Sequence, residues 1–190
     1  MKVTLSFLKK ENACQSGIEV FKKVFNNSAE LKDIINFAID KNKKELLQHA
    51  NWLIVRKMTH RQKIQYAIFA AEQVLHIFEK KYPEDKRPRQ AIEAAKSYLK
   101  NPSEENRKAA AYAAYAAAYA AAAAYAANAA AYAYAAYAAN AAAAYAYAAY
   151  AANAANAYAY AAAAAAYANK WNKMQINILK NGLKIIYKEK

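Results

Sequence analysis

The sequence predicts an all-α protein, a helical bundle or array. Three observations predict it. The 190 residues contain only 2 Gly and 3 Pro, too few for a turn-rich sandwich or a collagen-like chain. Residues 1–108 repeat apolar side chains at helical spacing, segment after segment. Residues 109–169 consist of 43 Ala, 13 Tyr and 5 Asn, and Ala has the highest helix propensity of any residue. The length suits one domain, at most two, with a real core. The chain divides into a basic amphipathic region (1–108), an Ala/Tyr/Asn region (109–169) and a basic C-terminal helix (170–190), expected to form one compact unit.

Each element has a local reason. Asn12 or Ala13 opens a helix carrying Ile18, Phe21, Val24 and Phe25. Ser28 is a good N-cap for the next, with Leu31, Ile34, Ile35, Ala38 and Ile39 on one face. A third runs from about Glu45 to Met58, with Leu46, Leu47, Ala50, Leu53 and Ile54 apolar and Trp52 beside them. Thr59 caps a fourth, which carries Ile64, Ile68, Ala71, Leu75 and Phe78 and stops before Pro83. Asp85 caps a helix with Pro88 in its first turn. Ser103 followed by Glu104 and Glu105 marks another start, with carboxylates at the positive end of the helix dipole. The short links favour antiparallel neighbours.

The Ala/Tyr/Asn region repeats every 13 residues: Tyr119, Tyr132, Tyr145 and Tyr158 are in register. One straight helix would be roughly 90 Å long at about 1.5 Å per residue. Two or three closely packed helices are therefore expected, with Tyr132, Tyr145 and Tyr158 filling the gaps and breaks near Asn128, Asn140 or Asn153–Asn156. Asn is the best left-handed helix stop after Gly. Expansion of a short DNA repeat with no role beyond filling the fold is the other reading. After it, Asn169 caps a basic amphipathic helix with Trp171, Met174, Ile178, Leu179, Leu183 and Ile186, which Gly182 weakens or ends early.

Lys and Arg number 28 against 14 Asp and Glu, a net charge of +14. The excess sits at both ends, because residues 109–169 carry no charged side chain. Such a balance favours anionic partners: nucleic acid, nucleotides, acidic proteins or anionic lipid. Met1–Leu8 is too short and polar for a secretory signal, and an Ala tract without Leu, Ile, Val or Phe is a poor membrane span. A cytoplasmic protein with no membrane partner is expected.

The chemistry is sparse. Cys14 is the one cysteine, so no disulfide forms within the chain. As a nucleophile it would need a His brought to it; a buried packing thiol is the expectation. His49, His60 and His76 lack metal spacing, and two glycines cannot make a phosphate loop. Glu84/Asp85 and Glu104/Glu105 are adjacent pairs that face different ways on a helix. No enzyme, metal or cofactor is expected. The positive clusters carry more. Arg56, Lys57, Arg61 and Lys63 bracket the junction at Thr59; Lys80, Lys81, Lys86, Arg87 and Arg89 bracket that at Pro83–Pro88. Arg56, Lys57, Arg61, Arg87 and Arg89 are the candidate partner-binding residues, on one patch or two, against a solvated face as the plain alternative.

Four stretches carry a resemblance: Asn12–Phe21, His49–Leu53, Tyr66–Leu75 and Asp85–Ala95, the most specific being Arg87-Pro88-Arg89-Gln90-Ala91-Ile92-Glu93-Ala94-Ala95. They resemble a family of immunity proteins (the Imm-5-like group) of bacteria and phages, associated with toxin–immunity loci. The resemblance implies a non-enzymatic inhibitor that neutralises a partner protein, with no catalytic residues to carry over. A basic nucleic-acid or nucleotide binder, such as a phage counter-defence protein, is the alternative.

Overall fold

A computed structural model describes residues 1–112 and 168–188. Within them the protein is helical, with one two-stranded sheet. The elements are β1 (Lys2–Thr4), α1 (Leu5–Lys10), α2 (Gln15–Phe25), β2 (Ser28–Glu30), α3 (Leu31–Lys41), α4 (Lys44–Arg56), α5 (His60–Lys81), α6 (Arg87–Lys100), α7 (104–112) and α8 (Ala168–Lys188). The two or three helices expected from the Ala/Tyr/Asn region, their breaks at Asn128, Asn140 and Asn153–Asn156, and the packing of Tyr132, Tyr145 and Tyr158 lie outside the described residues.

The all-α expectation holds, with a small addition at the start. β1 and β2 pair antiparallel, Val3 opposite Ala29, and bury Val3 completely. Ser28 therefore does not cap α3; it is the first residue of β2, and α3 begins at Leu31. The first long helix likewise opens at Gln15, with Cys14 as its N-cap residue. Three-residue strands are too short to show a period of two.

The other starts follow local chemistry. Thr59 Oγ1 accepts from Gln62 N at 3.3 Å while Gln62 Oε1 accepts from Thr59 N at 2.9 Å, a reciprocal capping box. Asp85 Oδ1 accepts from Arg87 N at 3.1 Å, one residue upstream of the cap position, and Pro88 sits in the first turn of α6. Ser103 Oγ accepts from Asn106 N at 3.1 Å at the head of α7. With glycine so scarce, left-handed positions fall to asparagine: Asn12, Asn26 and Asn42 have φ of 55°, 61° and 49°.

Two helix pairs, α3–α4 and α5–α6, are joined by α8, which packs on α3, α4 and α5. Asn177 Nδ2 donates to Gln73 Oε1 at 2.9 Å, and Gln62 Nε2 donates to Ile185 O at 3.3 Å, so α8 runs antiparallel to α5. Its inner stripe is Gln175, Ile178, Leu179, Gly182 and Ile186, all buried. Gly182 does not stop the helix, which continues to Lys188. A Cβ there would lie 2.7 Å from Tyr66 Cε2 and 2.8 Å from Ile54 Cδ1. The missing side chain is what lets α8 approach α4 and α5. Asn169 is already helical rather than a cap. No described helix is long and apolar enough to cross a membrane.

Candidate functional site

The site lies where α2 meets α4. Cys14 ends the loop after α1, and its side chain makes no cap hydrogen bond to α2. Its sulfur instead sits 3.4 Å from His49 Nε2 on α4, and 3.6 Å from Ser16 Oγ. Ser16 Oγ is 3.3 Å from the same His49 nitrogen. Glu45, one turn before His49, places Oε1 3.9 Å from it. Gly17 eases the approach: a Cβ there would be 3.3 Å from Cys14 Sγ, slightly tight, and 3.7 Å from His49 Cδ2, an ordinary contact. The expectation of a buried packing thiol is corrected, because Cys14 is exposed. A helix start leaves the thiol in the loop, outside the core, to which α2 contributes Phe21.

His49 is held below the ordinary imidazole value of 6.5 by burial, which the Glu45 carboxylate partly opposes. A neutral imidazole carrying its proton on Nδ1 offers Nε2 as an acceptor to the thiol or the Ser16 hydroxyl. Glu45 faces that same nitrogen, so the group is a Cys–His pair with a nearby carboxylate and not a triad, whose acid would orient the far nitrogen.

The pair sits on an apolar pocket of about 510 Å³ between α2, α3 and α4. Val20, Phe21, Phe25, Ile34, Phe37 and Trp52 form much of its wall, with Asn12, Cys14, Gln48 and His49 as the polar lining. Phe25 stands edge-on to Phe37, ring centres 5.5 Å apart. Lys41 Nζ lies 5.7 Å from the Phe37 ring centre, and Lys22 and Lys23 are exposed on α2. The wall is greasy, and the helices α2 and α3 that help form it carry exposed lysines.

The five cations singled out from the sequence fall in separate groups, each engaged within the fold. Arg56 lies 3.9 Å over the Trp52 ring, with Nε 3.5 Å from Glu11 Oε2. Lys57 Nζ lies 3.4 Å from the Phe7 ring centre and donates to Lys2 O at 3.3 Å. Both tie the end of α4 to the N-terminal segment. Arg61 Nη1 donates to Leu99 O at 2.8 Å, in the last turn of α6. Arg87 grips Asp85 with Nε and Nη2 at 2.8 and 2.6 Å, and Arg89 grips Glu79 with both bonds at 2.6 Å. Arg61 and Arg89 sit at opposite ends of α5, so the two junctions are not at related ends of neighbouring helices. Among the described residues, no group of three or more His, Cys, Asp or Glu could hold a metal.

Sequence reasoning missed the partner of Cys14. His49 comes from another helix, and no local spacing announces the pair. The available signal was Cys14, Ser16 and Gly17, small residues clustered at a helix start.

A model of the family of unknown function DUF6931 matches residues 40–186, more than half of the chain. The chain belongs to DUF6931. The DUF6931 match begins at the end of α3, so it takes in His49, Glu45 and Trp52 but leaves out Cys14, Ser16 and Gly17. No curated protein and no solved structure gives a significant match.

Proposed function

We propose that this protein is a non-enzymatic inhibitor of the immunity type, acting in the cytoplasm, which neutralises a partner protein by receiving its apolar side chains. The observation that carries the reading is the open apolar pocket between α2, α3 and α4. Deep pockets that accept a few large side chains concentrate binding energy at protein interfaces. The exposed lysines of α2 and α3, Lys22, Lys23 and Lys41, suit a partner segment with acidic flanks. The resemblance to immunity proteins adds support, since its stretches Asn12–Phe21 and His49–Leu53 supply the pocket residues Cys14, Val20, Phe21, His49 and Trp52.

The test is co-expression of the full chain with the product of the adjacent gene, followed by size-exclusion chromatography at low and high salt. A complex that survives salt and is lost in Val20→Trp, which fills the pocket, supports the reading. A complex indifferent to Val20→Trp overturns it. Retention of nucleic acid or nucleotide that falls steeply with salt supports the alternative basic binder, because phosphate contacts release counterions.

A further inference from the structure

We propose that Cys14 accepts acyl groups from acyl thioesters, with the acyl chain lying in the apolar pocket and His49 taking the thiol proton. The inference goes beyond the partner reading and does not depend on it. It rests on two features that coincide. One is a nucleophile–base pair, Cys14 Sγ and His49 Nε2 at 3.4 Å, with the sulfur exposed. The other is the apolar pocket that both residues line. At about 510 Å³ its volume is within the range of small-molecule sites, roughly 300–1,000 Å³.

A greasy wall beneath a nucleophile selects an electrophile with an apolar tail. An acyl thioester supplies both halves. Other thiol chemistry uses only one half: disulfide exchange needs no pocket, and a free fatty acid offers no activated carbonyl. The step balances without an oxidant or reductant. The sulfur of Cys14 attacks the thioester carbonyl carbon and its proton passes to His49 Nε2. A new carbon–sulfur bond forms, the donor's carbon–sulfur bond breaks, and the departing thiolate takes the proton from His49. One thioester replaces another, so burial of the chain against Val20, Phe25 and Phe37 favours the product.

The surrounding groups fit these roles. The titratable groups at His49 are Glu45 on its own helix and Cys14 from the loop before α2. Glu45 steadies the imidazolium formed midway. Burial keeps His49 neutral before the step, as a base must be. Ser16 Oγ reaches the same nitrogen at 3.3 Å but is the weaker nucleophile. Gly17 leaves the space around the sulfur that a tetrahedral carbon needs. An acylated Cys14 would fill the pocket, so acylation and the proposed partner would compete for it.

The experiment incubates the full chain with acetyl-, octanoyl- and palmitoyl-coenzyme A at neutral pH and follows intact mass. One hydroxylamine-sensitive adduct per chain is expected with the longer donors, with acetyl transfer slower by about tenfold or more. Cys14→Ser should give no hydroxylamine-sensitive adduct. His49→Gln should slow transfer by about a hundredfold or more, the usual contribution of a general base. Val20→Trp should slow octanoyl transfer more than acetyl transfer. The proposal fails if no adduct forms, or if the wild-type chain transfers acetyl and octanoyl groups equally fast. It also fails if a folded His49→Gln variant reacts at the wild-type rate. The chain-length comparison needs no variant and no partner protein, so it fails separately from the inhibitor reading.

Discussion

Both glycines of this protein sit where α4 is approached by another helix, and the two approaches end differently. At Gly182 the space of a side chain is already taken: Tyr66 and Ile54 would lie within 3 Å of an added Cβ. At Gly17 the nearest neighbours of an added Cβ are the Cys14 sulfur at 3.3 Å and the His49 ring at 3.7 Å, and the pocket opens alongside. The seam between α8, α4 and α5 is packed to closure. The contact of α2 with α4 stops short of closure and leaves a thiol, an imidazole and a cavity. A protein that needed only stability would fill that cavity, since unfilled apolar volume forfeits dispersion contacts. Its persistence beside chemically competent side chains is why function is placed there and structure at the seam.

The largest separation between the regions should come from truncating their walls. Ile178 is fully buried in the seam. Ile178→Ala should cost about 2–5 kcal/mol, the usual range for a buried aliphatic cut to Ala. Phe37 is only half-buried at the pocket. Phe37→Ala should cost less than half of the about 3–5 kcal/mol of a fully buried Phe. Urea midpoints of the two variants measure this, and equal losses would mean that the pocket wall is as tightly packed as the seam.

Adding one methyl at each glycine sharpens the same contrast. Gly182→Ala should destabilise by about 1–3 kcal/mol through overpacking, less up to about 1 kcal/mol regained in helix propensity. Tyr66 cannot step aside cheaply, because its hydroxyl donates to the buried Asn51 Oδ1. Gly17→Ala should leave the unfolding free energy within about 0.5 kcal/mol of wild type, because the gain in helix propensity offsets a contact that the exposed Cys14 side chain can relieve. Its effect should instead be on the rate at which a thiol reagent modifies Cys14. A large melting shift for Gly17→Ala together with an unchanged thiol rate would remove the distinction.

Acid should act through the imidazoles. His49 and His60 are both held below 6.5, mainly by burial. In the unfolded chain they take up protons near 6.5, while in the folded protein they do so only at lower pH. The unfolded state therefore binds more protons in that window, and stability falls as pH drops below 6.5 through the folded values. Melting temperatures from about pH 7 to about pH 5 should decline, and His49→Gln should flatten part of the decline. An unchanged slope in His49→Gln would mean that burial of the ring contributes nothing.

Elements set by neighbouring residues were legible in the sequence. Thr59 with Gln62, Ser103 with Asn106, and Pro88 in a first turn act within one turn of helix, so their chemistry is visible locally. Elements set by distant residues were not. Gly182 reads as a helix breaker until Tyr66 and Ile54 are placed against it, and Ser28 reads as a cap until Thr4 pairs with it. Cys14 reads as inert until α4 brings His49 to it. Charge misleads for the same reason. Arg56 and Lys57 stand out as a positive cluster, yet their contacts with Trp52, Glu11 and Phe7 are created only when the N-terminal segment folds onto α4.

A small effect on stability is expected at Arg87 and Arg89, at the Pro83–Pro88 junction. Their forks are filled by Asp85 and Glu79, but the side chains are 44% and 52% exposed. Exposed pairs typically contribute about 0.2–1 kcal/mol, bidentate ones lying toward the upper end, and salt screens them. The hydrogen bond from Arg89 holds the Glu79 carboxyl below its ordinary value, so the pair's small contribution is present above that value and is lost as pH falls through the folded one. Combined Arg87→Glu and Arg89→Glu reversal should keep the helical circular dichroism spectrum and move the melting temperature slightly, less so in high salt. It also separates the two surfaces. Partner capture through the pocket between α2, α3 and α4 should weaken less on this reversal than on Val20→Trp. If the reversal weakens the complex with the adjacent gene product more than Val20→Trp does, the α5–α6 junction is the contact surface and the pocket is not.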